Sequence, residues 1–315
     1  MPNHFLALTD FSSAQLKALI SAAVELKAEW QNGGNRPLLT GQVLAMVFQK
    51  PSLRTRVSFE VGMRHLGGHA LYLSPAEVGL GERESVPDVA RVLSGMCQGI
   101  MARTFSHDHL LGLAQWASVP VINGLTDYNH PCQAMADVLT MQEHFGQVSG
   151  LKVAFIGDGN NVATSLAYAA GKFGFDFAIA TPADYALPQP VWELAQRVAA
   201  EGGVTLTQTN DIAEAVRGAH VLYTDTWTSM GQEAESERRR RDFVGYQIND
   251  ELLRLADPSA VVMHCLPAHR GEEITDEVAD GPRSLLFQQA ANRLHAQKAI
   301  LVHCLAPSAI DGLVN

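Results

Sequence analysis

Short apolar runs alternate with amphipathic stretches along most of the chain. Ser12 stands three residues before Gln15, as in a capping box, and apolar residues then recur at helical spacing. The later apolar runs predict two series of strands, at 43–48, 69–73, 100–103 and 119–123, then at 152–157, 177–181, 204–209, 220–225 and 261–266. Helical patterns separate these runs. The alternation predicts an α/β fold with two parallel sheets, each covered by helices.

The length of 315 residues is more than one core usually supports, so we expect two domains. A helical pattern at 131–145 lies between the two strand series, and another at 285–305 has no strand after it. We therefore expect a first domain at 1–136 and a second at 137–289. A C-terminal helix at 290–315 would pack back on the first domain, so two interdomain helices would join the domains.

The composition bears on partners and location. Hydrophobic residues make up 47% of the chain and charged residues 18%, with a net charge of -10. Such a charge would repel nucleic acid and anionic membrane surfaces. No stretch approaches the roughly 20 apolar residues of a membrane helix, and the first ten residues do not resemble a signal peptide. We expect a cytoplasmic protein.

The four cysteines, Cys97, Cys132, Cys265 and Cys304, form no C-x-x-C pair. This spacing argues against a disulfide framework and against a structural zinc site, and it favours free thiols. The basic run Arg238–Arg241 is interpreted as a solvated helix face.

The first candidate site is Lys50-Pro51-Ser52-Leu53-Arg54-Thr55-Arg56, where an apolar strand ends and a helix begins. Amide groups at a helix start have no partners within the helix, and hydroxyls and a guanidinium could join them around a phosphate. An ordinary capped helix with surface arginines is the alternative.

A second candidate is Asn129-His130-Pro131-Cys132-Gln133, with a proline suited to the first helical turn. His130 could polarise a carbonyl oxygen, although a His-Pro pair at a helix start is more often a cap. Arg103 ends another strand. Ligands of parallel sheets bind outside the carboxyl ends of strands. Arg103 and the His130 segment both follow strands, so we expect them at the same edge of the sheet as the Ser52 segment.

The second strand series carries candidates of a different kind. Gly157–Asn161 suggests a dinucleotide loop, but Thr181 and Pro182 stand where that fingerprint wants an acidic residue. The asparagines could instead bind an amino acid. Asp225 opens a polar segment that ends at Gly231, and its carboxylate could pair with a substrate ammonium. The alternative is a flexible polar loop.

Two further residues stay ambiguous on spacing alone. Cys265, in His264-Cys265-Leu266-Pro267, would by burial statistics be an inert core cysteine. Arg293, on the last long helix, would by itself be a solvated charge.

Together these segments resemble the carbamoyltransferase family, and within it the ornithine-specific enzymes, over nearly the whole chain. Ser52–Arg56 resembles the family's S-x-R-T-R carbamoyl phosphate loop, and His130–Gln133 its H-P-x-Q segment. Asp225–Gly231 is similar to the D-x-x-x-S-M-G loop of the ornithine enzymes, and His264–Pro267 to their H-C-L-P segment.

The resemblance implies an activity: transfer of the carbamoyl group of carbamoyl phosphate to the side-chain amine of L-ornithine, giving L-citrulline and phosphate, in arginine metabolism. It implies a carbamoyl phosphate site made of Ser52, Leu53, Arg54, Thr55, Arg103, His130, Pro131, Cys132, Gln133 and Arg293. It implies an ornithine site made of Asn161, Asp225, Ser229, Met230, Cys265 and Leu266. The residues implied in catalysis are Arg103, His130, Cys265 and Thr55.

The resemblance also implies a homotrimer or an assembly of trimers, with no organic cofactor and no metal. One departure stands out. The family commonly carries glutamine or histidine before a Leu-Gly pair in the loop that reaches the neighbouring subunit, and this chain has Gly79 before Leu80-Gly81. We expect that Gly79→Gln tightens carbamoyl phosphate binding, provided that glutamine can adopt the backbone angle at this position.

Overall fold

The computed structural model describes residues 2–229 and 231–314. The chain divides into two compact units, one formed by Met1–Leu139 with Ala291–Asn315 and the other by Thr140–Ala290. It passes from one unit to the other within two long helices, as the fold prediction requires.

The first unit contains a parallel sheet with strand order β2-β1-β3-β4. Its strands are β1 (Val43–Phe48), β2 (His69–Leu73), β3 (Gly99–Arg103) and β4 (Val121–Leu125). Its helices are α1 (Ser13–Gln31), α2 (Leu53–His65), α3 (Pro75–Val78), α4 (Val86–Ser94) and α5 (His107–Trp116), with 3₁₀ turns at Leu8–Asp10 and Pro307–Ala309. The central strands are buried along their length, which explains their continuous apolar runs.

Helix α6 (Pro131–Phe145) continues into the second unit, whose parallel sheet has the order β7-β6-β5-β8-β9. Its strands are β5 (Lys152–Ile156), β6 (Asp176–Ala180), β7 (Leu206–Thr209), β8 (Val221–Thr224) and β9 (Val261–His264). Its helices are α7 (Asn161–Phe173), α8 (Gln189–Gly202), α9 (Ile212–Val216), α10 (Ser236–Asp242), α11 (Asp250–Leu253) and α12 (Asp276–Ala279), with 3₁₀ turns at Ala183–Tyr185 and Glu233–Glu235. Helix α13 (Leu286–Leu305) returns to the first unit, which also holds α14 (Asp311–Val314).

Local sequence signals account for the element ends. The capping box is confirmed, because Ser12 Oγ accepts from the Gln15 amide at 3.2 Å and Gln15 Oε1 accepts from the Ser12 amide at 2.9 Å. Strand β4 starts two residues later than predicted. The residue before it is Pro120, which has no amide hydrogen to donate to a sheet, although its carbonyl oxygen accepts from the Ile100 amide at 2.9 Å.

Because every strand in a sheet runs the same way, the carboxyl ends of its strands share one edge. In the first unit this edge holds the start of α2, the end of β3 and the loop before α6. In the second unit it holds the turns after β5, β8 and β9. In the part of the chain that the structure describes, no helix is long and apolar enough to cross a membrane.

Candidate functional site

The start of α2 is a capped helix end. Ser52 is the N-cap, and its Oγ accepts from the Thr55 amide at 3.3 Å and donates to Thr55 Oγ1 at 3.1 Å. The amide of Thr55, which we expected to be open to an anion, is therefore satisfied by the cap. Thr55 is buried, whereas Leu53 is 74% exposed.

Arg293, on α13, is buried with only 2% of its surface exposed. Its Nη1 donates to Gln133 Oε1 at 2.7 Å and its Nη2 to Thr55 Oγ1 at 3.3 Å. With the Gln297 amide turned so that its oxygen faces the guanidinium, that oxygen accepts from Arg293 Nε at 3.2 Å and from Nη2 at 2.8 Å. Arg293 is therefore not a solvated helix charge. It connects the start of α2 with the start of α6.

The loop before α6 is held from inside the first unit. Asn123 Nδ2 donates to Asn129 Oδ1 at 2.5 Å, and Gln133 Nε2 donates to Asp137 Oδ1 at 2.8 Å. Cys132 Sγ donates to the Asn123 carbonyl at 3.2 Å, and burial raises the pKa of this thiol to about 12. Cys132 is therefore an inert packing residue beside the site rather than a reactive thiol.

Four cations surround His130 in the first unit, and together with it they form what we call the cationic cluster: Lys50, Arg54, Arg103, His130 and Arg293. Burial, followed by the charges of Arg293 and Arg103, holds the pKa of His130 well below its ordinary value. The imidazole is therefore neutral near pH 7. Burial and the neighbouring Arg103 lower the pKa of Lys50 to about 8.

Chemically, the cationic cluster suits a small, doubly charged anion. Burial makes each fixed positive charge more effective than it would be in water, and an entering anion would relieve the repulsion between the cations. Lys50 opens the first candidate segment of the sequence, but the sequence reasoning gave it no role in binding, and the structure adds it to the cluster.

In the second unit, two side chains, those of Asn160 and Cys265, meet at the carboxylate of Asp225, and we call the three residues the Asp225 cluster. Asn160 Nδ2 donates to Asp225 Oδ2 at 2.8 Å, and Cys265 Sγ donates to Asp225 Oδ1 at 2.9 Å. The amide of Thr226 also donates to Oδ1, at 2.8 Å. Asp225 is thus a buried, oriented carboxylate that could pair with an ammonium group.

Asn160 makes this contact from the residue before α7. Asn160 caps α7, and its Oδ1 accepts from the Val162 amide at 2.9 Å while Nδ2 faces Asp225. Asn161, the residue named from the sequence, is half-buried at the first position of α7, and its part in binding stays a prediction. The N-cap preference for asparagine before a helix is the signal that could have added Asn160 to the site.

The interpretation of Arg238–Arg241 as a solvated face is wrong for one member. Arg239 is 6% exposed, and its Nη1 donates to Asp158 Oδ2 at 2.7 Å and to the Trp227 carbonyl at 2.9 Å. Burial raises the pKa of Asp158 and Arg239 opposes that shift. Arg239 therefore fastens the start of the 225–232 loop to the turn after β5.

In that loop, the Ser229 amide donates to Gln232 Oε1 at 3.1 Å. The predicted ligand Met230 lies outside the described residues.

The turn after β5 has its own partners. The Gly159 amide donates to the Tyr185 carbonyl at 2.8 Å, and a Cβ at Gly159 would lie 2.5 Å from the Leu187 amide nitrogen. The glycine is therefore required by close backbone packing. With Asp158 paired to Arg239 as well, this turn does not have the open amides that a dinucleotide phosphate needs.

Asp225, His264 and Cys265 each offer a possible metal-ligand atom, and these atoms lie within 4.8 Å of one another. His264 Nδ1, however, accepts from the Leu266 amide at 2.8 Å, and Nε2 bonds to Glu273 at 3.0 Å. Both ring nitrogens are occupied, so the trio does not fit a metal without rearrangement.

Gly79 ends α3 in the left-handed conformation, with φ 57° and ψ 45°. A Cβ there would lie 2.7 Å from Arg83 Cβ. Glutamine at position 79 would be strained in this conformation and would collide with Arg83, so we no longer expect Gly79→Gln to tighten carbamoyl phosphate binding. The neighbouring Leu80 carbonyl accepts from Gln49 Nε2 at 2.9 Å, which ties this loop to the end of β1.

The fold and these clusters define a class of two-unit α/β proteins. The first unit carries a cationic cluster at the edge of its sheet, and the second carries an oriented carboxylate at the edge of its own sheet. Comparisons with known proteins make the class specific. The model for the aspartate/ornithine carbamoyltransferase carbamoyl-P binding domain matches residues 3–143, and the model for the Asp/Orn binding domain matches residues 149–304. The chain belongs to the aspartate/ornithine carbamoyltransferase family.

Individual relatives match over nearly their whole length. The ornithine carbamoyltransferase of Anoxybacillus flavithermus is 52% identical over 96% of this chain and 96% of the relative. The anabolic ornithine carbamoyltransferase of Pyrococcus furiosus is 50% identical over 94% of each chain. A solved structure of the Pyrococcus furiosus enzyme has a TM-score of 0.93 at 50% identity, covering 96% of each chain. The ornithine transcarbamoylase of Giardia lamblia has a TM-score of 0.88 at 31% identity, covering 97% of this chain and 99% of that one.

Proposed function

We propose that this chain transfers the carbamoyl group of carbamoyl phosphate to the side-chain amine of L-ornithine, giving L-citrulline and phosphate. One observation carries the proposal. The cationic cluster lies within the segment matched by the carbamoyl-P binding model, apart from Arg293, and the Asp225 cluster lies within the segment matched by the Asp/Orn binding model. Each matched segment thus contains side chains of the charge that its ligand requires.

Carbamoyl phosphate binding is assigned to the first unit. The proposed ligand residues are Ser52, Leu53, Arg54, Thr55, Arg103, His130, Pro131, Cys132, Gln133 and Arg293, to which we add Lys50. Buried guanidinium groups and the start of α2 would neutralise the phosphate, which can then leave without a strong general acid. Cys132 contributes packing, since its pKa of about 12 keeps it a thiol.

The carbonyl group of carbamoyl phosphate becomes an oxyanion when the amine attacks. Arg103, Thr55 and His130 are the proposed donors to that oxygen. His130 serves as a neutral donor, because burial and the surrounding cations depress its pKa. A neutral imidazole can donate a hydrogen bond without adding to the repulsion among these cations.

Ornithine binding is assigned to the second unit. The proposed contacts are Asn161, Asp225, Ser229, Met230, Cys265 and Leu266, with Asn160 holding the carboxylate of Asp225 in place. A buried carboxylate favours a cationic substrate and repels the second carboxylate of aspartate. This polarity favours ornithine over aspartate as the acceptor.

The role of Cys265 follows from its hydrogen bond. Cys265 Sγ donates to Asp225 Oδ1 at 2.9 Å, so the thiol hydrogen is directed at the carboxyl group. A thiol that already donates to the carboxylate is a contact residue rather than the base. We therefore propose that Cys265 borders the reacting amine and orients Asp225.

Purified protein given carbamoyl phosphate with ornithine, aspartate or putrescine tests the proposal by colorimetric detection of the ureido product. We expect citrulline from ornithine without any nicotinamide. Product from aspartate or putrescine at equal rates would contradict the ornithine assignment. Tight ornithine binding without turnover would instead indicate an amino-acid-binding regulator.

We further propose a cytoplasmic homotrimer, or an assembly of trimers, that acts in arginine biosynthesis. The anabolic designation of the Pyrococcus furiosus relative supports the direction of the pathway. The exposed apolar side chains Leu53, Val57 and Leu71 on the first unit support burial against another subunit.

A further inference from the structure

The segment His264–Pro267 is held by a buried hydrogen-bond chain that the mechanism above does not use. His264 and Glu273 have no exposed side-chain surface. His264 Nε2 bonds to Glu273 Oε1 at 3.0 Å, and the same oxygen accepts from the His269 amide at 2.5 Å. On its other side, His264 Nδ1 accepts from the Leu266 amide at 2.8 Å.

These bonds fix the tautomer of His264. An amide can only donate, so Nδ1 carries no hydrogen and Nε2 carries it toward Glu273. A proton cannot pass through a ring nitrogen that is occupied by an amide. The pair therefore does not serve as a relay to the substrate amine.

Leu266 explains why such a chain is needed. Its φ is +59°, in the left-handed region that a leucine adopts only when its surroundings enforce it. The hydrogen bond from its amide to His264 Nδ1 holds it there. The preceding residue is Cys265, whose Sγ meets Asp225, so the backbone angle at Leu266 and the thiol position are set together.

We propose that Glu273 is a positioning residue for carbamoyl transfer. Glu273 selects the Nε2–H tautomer of His264. In that tautomer Nδ1 accepts a hydrogen bond from the Leu266 amide, which keeps Cys265 and Leu266 in their reactive arrangement. The inference rests on the proposed function, and it deepens that function by adding Glu273, which lies six positions after Pro267, outside the H-C-L-P segment.

Glu273→Met removes the acceptor at similar side-chain length, and Glu273→Gln keeps an oxygen for the His264 Nε2–H group. We expect Glu273→Met to lower kcat/KM for ornithine by about 100-fold, as for a misplacement near 1 Å, with carbamoyl phosphate binding in the absence of ornithine unchanged. We expect Glu273→Gln to restore most of the activity. A matched control is Val278→Ala, which opens a small cavity in the neighbouring apolar cluster and removes none of the hydrogen bonds between Leu266, His264 and Glu273.

If Glu273 only stabilised the fold, Glu273→Met and Val278→Ala would have equal kcat/KM for ornithine when each is assayed at the same interval below its own Tm. That result would overturn the proposal. The second readout does not depend on activity or on the variant folding. Nitrogen-15 spectra of histidine-labelled wild-type protein should show His264 as the neutral Nε2–H tautomer. An Nδ1–H or doubly protonated ring would also overturn it. Failure of the wild-type citrulline assay alone would count against the proposed function and leave this tautomer measurement standing.

Discussion

Arg293 offers a direct test of the cationic cluster, because its side chain is buried and its partners are known. Arg293→Met removes the guanidinium and leaves the Gln133 and Gln297 oxygens without this donor. Each buried acceptor that loses its partner costs about 1 to 3 kcal/mol. We therefore expect a measurable fall in unfolding free energy before any ligand is added.

The effect on the anion is separate. A charge-assisted hydrogen bond in a buried site contributes about 1.5 to 3 kcal/mol. This corresponds to an increase of about 10- to 150-fold in the carbamoyl phosphate dissociation constant. Calorimetry on the free enzyme measures it. Arg293→Lys is the matched control, since it keeps the charge and loses the forked geometry, and we expect an intermediate loss.

The same variant has a pH signature. In the folded wild type the pKa of His130 lies below its unfolded value near 6.5, so the unfolded chain binds more protons and stability falls as the pH drops below about 6.5. Removing Arg293 lets that pKa rise, so the acid-side loss of stability becomes smaller in Arg293→Met. A carbamoyl phosphate affinity equal to wild type, with an unchanged slope of Tm against pH, would refute the assignment of Arg293 to the cluster.

Three further predictions test other parts of the site. Asp225→Asn should raise the ornithine KM at least tenfold while calorimetric carbamoyl phosphate binding stays nearly unchanged; equal losses for both ligands would argue against an ammonium contact. Carbamoyl phosphate affinity should fall as the pH rises through about 8, because Lys50 loses its charge there, and Lys50→Gln should remove that step from the titration. Gly79→Gln should weaken binding or lower Tm, and Gly79→Asn should cost less because asparagine tolerates the left-handed region; tighter binding by the glutamine variant would contradict the loop geometry.

Much of the fold could be predicted because its signals are local. Apolar runs and a capping box define strands and helices over stretches of a few residues, and both sheets follow from their order. The Ser52 and His130 segments could be placed at one sheet edge for the same reason. Element ends shifted where a single residue such as Pro120 changed the hydrogen bonding.

The contacts that build the site are long-range, so spacing could not supply them. Arg293 and Gln133 are 160 residues apart, and Arg239 and Asp158 are 81 apart. In the run Arg238–Arg241, nothing in the sequence distinguishes the one arginine that faces a buried carboxylate from its solvated neighbours. Only the packing of α10 against the turn after β5 makes that distinction.

Gly79 shows how a departure from the family can be understood only with the backbone. The sequence suggested a missing side-chain donor, which glutamine would restore. In the structure the Gly79 carbonyl accepts from the Arg83 amide at 2.8 Å and from the Glu84 amide at 3.2 Å, which closes a tight turn. Arg83 Nη2 is turned toward the Glu77 carbonyl and lies 2.9 Å from Glu84 Oε1. Because a Cβ at position 79 would lie 2.7 Å from Arg83 Cβ, the arginine leaves no room for a side chain at position 79. A glutamine donor at position 79 therefore requires a different turn, and the single substitution Gly79→Gln does not provide one.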